Sequence, residues 1–145
     1  MLHIKQIFDI DIDSCFELDS NSICLWTKDQ WKNEFRKKGT KVFALFLSEK
    51  IIGVSVINVI IDEAQINFFS IDQKYRRNGY GSYLMRFMIK KCNLYDIKKL
   101  LLEVSDINTA AKNFYKKFNF LTVGKRKNYY KNGSDAVLKE KILIK

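Results

Sequence analysis

A short stretch at residues 76–81 combines two arginines with two glycines, in the order Arg-Arg-Asn-Gly-Tyr-Gly. Glycine lets the backbone approach a ligand closely and adopt positive φ, and arginine donates paired hydrogen bonds that suit a phosphate. A strand is predicted to end near Ile71 and a helix to begin near Gly79. The free N–H groups of the first helical turn would therefore face the same point. These features indicate a site for an anion such as a phosphate or pyrophosphate.

Two well-known phosphate loops do not match this stretch. The chain contains no GxxxxGKS or GxxxxGKT sequence, which excludes a P-loop, and no GxGxxG after a first strand, which excludes the common dinucleotide-binding loop. From these residues alone, an ordinary glycine turn with solvated arginines remains the alternative.

Two further residues are candidates for acid–base chemistry. Glu103 is the one acid in the apolar strand-like segment KLLLEVS, where alternation puts Leu101, Glu103 and Ser105 on one face. A carboxylate there can accept a proton from an amine, but a glutamate that simply faces solvent is the alternative. Tyr115 lies near the apolar face of a predicted helix, where a core tyrosine is the default interpretation.

Hydrophobic periodicity divides the chain into the elements that must position these residues. Alternating or continuous apolar patterns predict strands at residues 2–6, 42–47, 51–61, 64–71, 99–105, 120–123 and 136–144. Helical spacing predicts helices at residues 9–20, 28–39 with Thr27 as cap, 81–92, and after Asn108 through 118. This order indicates an α/β domain with a mixed sheet, in which the middle helices connect parallel neighbouring strands.

Composition indicates one domain, residues 1–145, with no repeat, linker or low-complexity tract. The net charge of +10 is consistent with attraction to a polyanion such as RNA or a ribosome. The chain also has 26 basic residues that are mostly scattered lysines, and no proline, which favours a composition effect instead. A ribosome contact through a basic surface therefore stays open.

Localisation and metal binding can be addressed from short patterns. No apolar run is long enough to span a bilayer, and the first ten residues lack the pattern of a secretory signal. The cysteines at 15, 24 and 92 have neither metal nor redox spacing, and Cys24 and Cys92 sit among apolar residues, where inert thiols are expected. We expect a cytoplasmic protein with no membrane partner and no metal.

Three blocks of the chain together resemble a known family. Residues 76–81 fit the R/Q-x-x-G-x-G/A signature of the GCN5-related N-acetyltransferases, the GNAT superfamily, and LEVSDIN followed by TAAKNFYKKFNF resembles the second half of that family's core. The chain is most similar to the bacterial ribosomal-protein-alanine N-acetyltransferases, from roughly residue 23 onward. The matching residues include Leu102, Glu103, Val104, Asn108, Tyr115, Phe120, Arg126, Tyr129 and Tyr130.

The resemblance implies a GNAT fold, with a central mixed but mostly antiparallel sheet of six or seven strands, splayed in a V and flanked by about four helices. It implies that acetyl-CoA is the acetyl donor and lies in the V. The implied cofactor-binding residues are Phe69, Ser70, Ile71, Arg76, Arg77, Asn78, Gly79, Tyr80, Gly81, Ser82 and Asn108.

The same resemblance assigns catalytic roles, with Glu103 as general base and Tyr115 as general acid. Trp26, Tyr129 and Tyr130 would line a peptide groove, although core or hairpin packing is an equal interpretation for such aromatics. The chain departs from the family pattern at two positions. Asn119 replaces the usual glycine after the last helix, and Ser82 occupies a position of the phosphate loop that is often basic.

The function that follows is acetyl transfer to a protein N-terminus, most naturally the N-terminal alanine of a small-subunit ribosomal protein, by direct transfer in a ternary complex of a monomeric enzyme. An α-amino group, with a pKa near 7.7–8.0, is easier to deprotonate than a lysine side chain. Three alternatives stay open. They are acetylation of a small amine such as a polyamine or antibiotic, a basic RNA- or ribosome-binding module, and a relic of the family that binds coenzyme A as a regulator.

Overall fold

The computed structural model describes residues 1–143, which form one seven-stranded sheet flanked by four α-helices. The strands are β1 Leu2–Ile7, β2 Thr40–Leu47, β3 Lys50–Ile60, β4 Glu63–Ile71, β5 Lys99–Ser105, β6 Leu121–Arg126 and β7 Ala136–Ile142. The α-helices are α1 Ile12–Ser20, α2 Lys28–Arg36, α3 Tyr80–Leu94 and α4 Thr109–Lys117. Short 3-10 helices cover Asp9–Asp11 and Gln73–Tyr75.

The sheet has the strand order β1-β2-β3-β4-β5-β7-β6 and opens in its middle. β4 and β5 are the only parallel neighbours among the described strands, and their Cα pairing runs just from Glu63↔Lys99 to Gln65↔Leu101. β4 then continues to Ile71 paired with β3, while β5 continues to Ser105 paired with β7. The two strands therefore separate toward their C-terminal ends and leave a V-shaped gap.

Two hydrophobic cores cover opposite faces of the sheet. Alternation along β2 sends Val42 and Ala44 to the core under α1 and α2, and Phe43 and Leu45 to the core under α3. The helices contribute apolar stripes to these cores. They include Trp31 from α2 and, as the helical spacing predicts, Leu84, Met85, Met88 and Cys92 from α3.

Polar side chains cap the N-termini of α2 and α4. Thr27 and Gln30 form a reciprocal capping box at the start of α2, with Oγ1 of Thr27 3.1 Å from the amide of Gln30. Asn108 caps α4 by accepting a hydrogen bond from the amide of Ala111 at 3.1 Å. Both predicted caps are thus confirmed.

The end of α4 shows how Asn119 replaces glycine. Asn119 adopts φ +67°, and its amide donates to the carbonyl of Lys116, while the amide of Phe120 donates to the carbonyl of Tyr115. These two bonds form the Schellman motif, whose usual apolar contact is supplied here by the rings of Phe120 and Tyr115, 5.5 Å apart. Asparagine tolerates the left-handed conformation better than most residues, so the turn is retained.

Some sequence-based boundaries and one pairing were wrong. α2 ends at Arg36 rather than at Gly39, and the strand predicted from Phe120 begins at Leu121. The helix α4 does not connect parallel neighbours, because β7 inserts antiparallel between β5 and β6. The predicted last residue of β7, Ile144, lies outside the described residues. None of the helices in the described part has the length and apolar character needed to cross a bilayer.

Candidate active site

The gap between β4 and β5 opens into a cavity of about 630 Å³. Thirteen of the predicted site residues line it together, from β4, the loop before α3, the first turn of α3, β5, α4 with its cap, and the loop before β7. They are Phe69, Ser70, Ile71, Arg76, Arg77, Gly79, Tyr80, Gly81, Ser82, Glu103, Asn108, Tyr115 and Tyr130. The other three, Trp26, Asn78 and Tyr129, are not among its lining residues.

The loop between β4 and α3 is held in shape by its own polar side chains. Arg76 Nε donates to the carbonyl of Ile71 at 3.1 Å, so this guanidinium braces the end of β4. Asn78 Nδ2 donates to the carbonyls of Tyr75 and Arg76, at 3.1 Å each. Asn78 therefore shapes the loop from outside the cavity, and Arg77 faces the cavity with a φ of +66°.

The two glycines at the start of α3, Gly79 and Gly81, differ in their backbone conformation and in their neighbours. Gly79 is the N-cap of α3 and has φ +79°, a conformation that suits glycine, with no atom within 4 Å of the position that a Cβ would take. Gly81 lies inside α3, and a Cβ there would meet the Phe114 ring at 3.5 Å, an ordinary contact. The N–H groups at the start of α3 have no partner within the helix and carry the positive end of its dipole, which suits an anion.

Glu103 lies on β5, on the face opposite the α3 core. The neighbouring residues Leu102 and Val104 are buried in that core, which confirms the predicted alternation. The Glu103 side chain is 19% exposed, and its Oε1 lies 3.2 Å from Nε of Arg126, at the end of β6. The carboxylate is thus half-buried at the cavity wall and held by a more exposed arginine.

Tyr115 lies on the α4 side of the cavity, against an aromatic group. Its ring packs edge-on against Phe114 at 5.4 Å and against Phe120 at 5.5 Å. Burial raises the pKa of the Tyr115 phenol to about 12. The phenol is therefore protonated throughout the neutral range and can act as a donor toward the cavity.

The loop between β6 and β7 brings Tyr130 next to Glu103. Ser134 ties this loop to the end of β5 through a 2.8 Å contact between its Oγ and that of Ser105, and its carbonyl accepts from the Tyr130 amide. Burial, and then the nearby charge of Glu103, raise the pKa of Tyr130. Tyr129 is 53% exposed and stacks on Arg126, outside the cavity.

The loop between α1 and α2 forms the remaining wall with Ile23 and Leu25 rather than with Trp26. The buried carboxylate of Asp19 accepts from the amides of Leu25 and Trp26, at 2.8 Å each, and from Nε1 of Trp31 at 3.0 Å. Trp26 consequently packs inward against Trp31, 4.8 Å between ring centroids. Leu25, the residue before Trp26, is 47% exposed and reaches the cavity.

Neither thiols nor metal ligands contribute to this cavity in the described part of the chain. Cys15 and Cys92 are buried, and burial raises the pKa of their thiols, to about 12 and about 11. Cys24 is exposed, although its neighbours in the sequence are apolar, and it is not a lining residue. Among residues 1–143, no group of three or more His, Cys, Asp or Glu side chains is placed to hold a metal ion.

Several lining or contacting residues were not predicted as site residues. Ile23, Leu25, Lys117 and Arg126 reach the site because distant elements fold together. Arg126 matched the family pattern but was given no role, and no local pattern marks Ile23 or Lys117. Leu25 had a weak signal, since it adjoins Trp26, but an aromatic was preferred over its aliphatic neighbour.

Comparison with known proteins identifies the fold and the family around this cavity. A family model described as the Acetyltransferase (GNAT) family matches residues 5–120. A Bacillus subtilis protein provisionally named as a ribosomal protein bS18-alanine N-acetyltransferase is 34% identical over 131 residues, which covers 88% of this chain and 87% of that protein.

Two further proteins carry the same type of name. The ribosomal protein bS18-alanine N-acetyltransferase of Haemophilus influenzae is 30% identical over 130 residues, covering 88% of this chain and 86% of that protein. The crystal structure of the ribosomal-protein-S18-alanine N-acetyltransferase from Escherichia coli superposes with a TM-score of 0.94 at 23% identity, covering 100% of this chain and 96% of that one. The predicted fold, a mixed sheet splayed in a V with four flanking helices, is confirmed.

Proposed function

The chain belongs to the GNAT family of acetyltransferases, and from that membership we propose that it acetylates the N-terminal alanine of a small-subunit ribosomal protein of the bS18 type, acting as a single-domain monomer. Relatives that match 88% of the chain carry this activity in their names. The observation that carries the proposal is the cavity between β4 and β5. It brings a loop suited to phosphate, a carboxylate and a phenol to one place.

Acetyl-CoA, the acetyl donor of this family, fits the groups that line the cavity. Beyond Gln65, the edge of β4 that faces the gap pairs with none of the described strands, so residues 69–71 can bond a pantetheine arm as an added strand. The amides at residues 79–82 can hold the pyrophosphate at the start of α3, next to the guanidinium of Arg77, and Asn108 lies on the opposite wall. When bound, acetyl-CoA supplies an activated acetyl thioester.

Glu103 is the proposed base for the incoming amine. It faces the side of the sheet on which Leu25 and Tyr130 complete the cavity wall, so an N-terminus entering there would meet the carboxylate. Glu103 would first accept the ammonium proton, directly or through one water, which frees the lone pair with which the neutral nitrogen then attacks the acetyl carbon. Arg126 holds one carboxylate oxygen in place at 3.2 Å, which fixes the orientation of Glu103 before the amine arrives.

Tyr115 is the proposed donor to the departing sulfur. Its raised pKa keeps the phenol protonated at every pH at which the amine can react, so it can stabilise the thiolate as the carbon–sulfur bond breaks. The buried thiols of Cys15 and Cys92, with their raised pKa values, are unsuited to an acyl-enzyme. Direct transfer in a ternary complex is therefore part of the proposal.

The test is turnover of acetyl-CoA by the purified protein against a matched panel of acceptors. The panel holds peptides with free Ala, Ser or Met N-termini, the same peptides with blocked N-termini and an internal lysine, and spermidine. We expect turnover with free N-termini, and fastest turnover with alanine. Turnover of spermidine alone would move the assignment to small amines, and binding without any turnover would indicate a relic that senses coenzyme A.

We further propose that the acceptor is presented on a ribosomal particle or an RNA-bound protein. Nine of the 26 basic residues but only two of the 16 acidic residues lie between residues 109 and 143, the part of the chain that contributes α4 and Tyr130 to the cavity. Such a surface attracts polyanions, and its contribution falls with added salt. Acetylation of the protein within particles should therefore lose more rate between 50 and about 200 mM salt than acetylation of the free peptide. Equal losses of rate for the particle-bound protein and the free peptide would contradict the proposed ribosome contact.

A further inference from the structure

Lys117, the last residue of α4, reaches across the cavity to the first turn of α3. Its Nζ donates to Oγ of Ser82 at 2.8 Å, which joins two helices that are 35 residues apart in the chain. Both residues line the cavity. The contact therefore places an ammonium beside the amides of Tyr80, Gly81 and Ser82.

The Lys117 ammonium is held in place without being neutralised. It lies 5.6 Å from the ring centroid of Phe114 and 5.5 Å from that of Phe118, distances at which aromatic faces attract a cation. Its hydrogen-bond acceptor, the Ser82 hydroxyl, carries no charge. Among the ion pairs of residues 1–143, none includes Lys117.

The surroundings of this ammonium are themselves positive. The start of α3 carries the positive end of the helix dipole, and Arg77, three residues before Tyr80 in the chain, lines the same cavity. A cation held beside a helix N-terminus is electrostatically unfavourable unless an anion joins the two. Aromatic packing and the Ser82 hydroxyl thus keep Lys117 where a bound anion would gain both charges at once.

We propose that Lys117 is a phosphate ligand of the nucleotide part of acetyl-CoA, and that it supplies from α4 the positive charge that Ser82 does not provide on α3. The assignment rests on the proposed function, since it names a further binding residue of the same site. It also implies that phosphate binding ties α4 to α3 across the gap.

The test compares Lys117→Gln with the matched control Lys116→Gln, which removes an exposed lysine one position away on the same helix and not lining the cavity. The dissociation constant of coenzyme A is measured by titration calorimetry, and dephospho-CoA and pantetheine are titrated alongside. Since a hydrogen bond to a charged group is being removed, we expect Lys117→Gln to weaken coenzyme A binding about tenfold. Lys116→Gln and the charge-retaining Lys117→Arg should bind as the wild type does.

The analogues separate the phosphates. If Lys117→Gln weakens the binding of dephospho-CoA as much as that of coenzyme A, Lys117 contacts the pyrophosphate. If it weakens only the binding of coenzyme A, Lys117 contacts the 3′-phosphate. Wild-type affinity in Lys117→Gln, or an equal loss on pantetheine, overturns the assignment while leaving the acetyltransferase proposal intact. If the wild-type protein does not bind coenzyme A at all, both proposals fail together.

Discussion

Glu103 combines two properties that a base for an amine needs, contact with the cavity and partial burial. Replacing it by glutamine keeps the shape and removes the proton acceptor, so we expect kcat to fall by about 10²–10⁴-fold. The loss should be largest near pH 6 and smallest near pH 9, because an α-amino group with a pKa near 7.7–8.0 loses its proton unaided at high pH. This pH dependence can be measured from the steady-state rates of Glu103→Gln and the wild type between pH 6 and 9.

Glu140→Gln is the matched control for Glu103. Glu140 is another half-buried carboxylate of the sheet, on β7, where it contacts Lys99 and does not line the cavity. Its replacement should leave the pH profile unchanged. Full activity of Glu103→Gln from pH 6 to 9 would remove Glu103 from the mechanism.

Tyr115 should respond to pH differently from Glu103. Because burial raises its pKa to about 12, the phenol stays protonated from pH 6 to 9, and Tyr115→Phe should lose roughly 10²-fold in kcat equally across that range. The exposed Tyr129, changed to phenylalanine, is the control and should lose little. A loss for Tyr115→Phe that disappears at one end of the range would contradict the assignment.

The same shift makes a stability prediction. The pKa of Tyr115 is higher in the folded than in the unfolded chain, so its protonated phenol contributes fully to the free energy of unfolding below about pH 10. This contribution is lost as the pH rises toward 12. Denaturant unfolding between pH 9 and 11.5 should therefore show a shallower decline for Tyr115→Phe than for the wild type. Parallel declines would mean that the phenol is not desolvated.

The sequence was informative for single residues when a local pattern marked them. Glu103 interrupts an apolar strand, and Tyr115 lies on the helix that Asn108 caps. These local patterns made both residues candidates, and the family resemblance assigned their roles. The contacts of Lys117 with Ser82 and of Arg126 with Glu103 could not be predicted, because these partners lie 35 and 23 positions apart along the chain. Only the packing of α4 and β6 on the rest of the sheet reveals them.

At the scale of elements, the turn into α3 depends on one glycine more than on the other. Gly79 and Gly133 both have strongly positive φ and open space where a Cβ would lie, so alanine at either position should cost about 1 kcal/mol of stability. Gly79 lines the cavity, whereas Gly133 is not among its lining residues. Gly79→Ala should therefore weaken coenzyme A binding at least several-fold, and Gly133→Ala should not, as calorimetry and denaturant unfolding can measure.

Gly81→Ala sharpens this comparison. Its Cβ would make an ordinary contact with the Phe114 ring, and alanine favours a helix, so stability should hold or rise by up to about 1 kcal/mol. Equal effects of the Gly79 and Gly133 changes on coenzyme A affinity would show that the loop does not hold phosphate.

Helix ends and strand order differ in how far the sequence specifies them. Thr27, Asn108 and Asn119 act through groups within four residues, so two caps and the left-handed turn were predictable. The insertion of β7 between β5 and β6 was not, because the alternating pattern of a strand states which face is buried and not which neighbour it pairs with. The helix α4 therefore suggested a parallel connection that the sheet does not make.

At the scale of the molecule, the protein is two sheet portions joined by a short seam. β4 and β5 share only the pairing from Glu63↔Lys99 to Gln65↔Leu101, and the α3 core spans both portions. A ligand that bonds β4 on one wall and reaches α4 on the other would add a second connection. Binding should thus stabilise the whole fold, by about 2.7 kcal/mol at a ligand concentration 100 times the dissociation constant.

Hydrogen exchange can locate that stabilisation. With coenzyme A bound, the alternate amides of residues 66–71 that do not bond β3, and the amides of residues 79–82, should exchange more slowly, because the first face the open side of the gap and the second start α3 without partners within the helix. Amides of β1 and β2, on the far side of the sheet, should change only as much as global stability requires. Lys117→Gln should reduce the protection at residues 79–82 more than at residues 66–71. Stabilisation without added protection along the gap would mean that the ligand binds elsewhere, and that the V is a feature of the fold that this protein does not use.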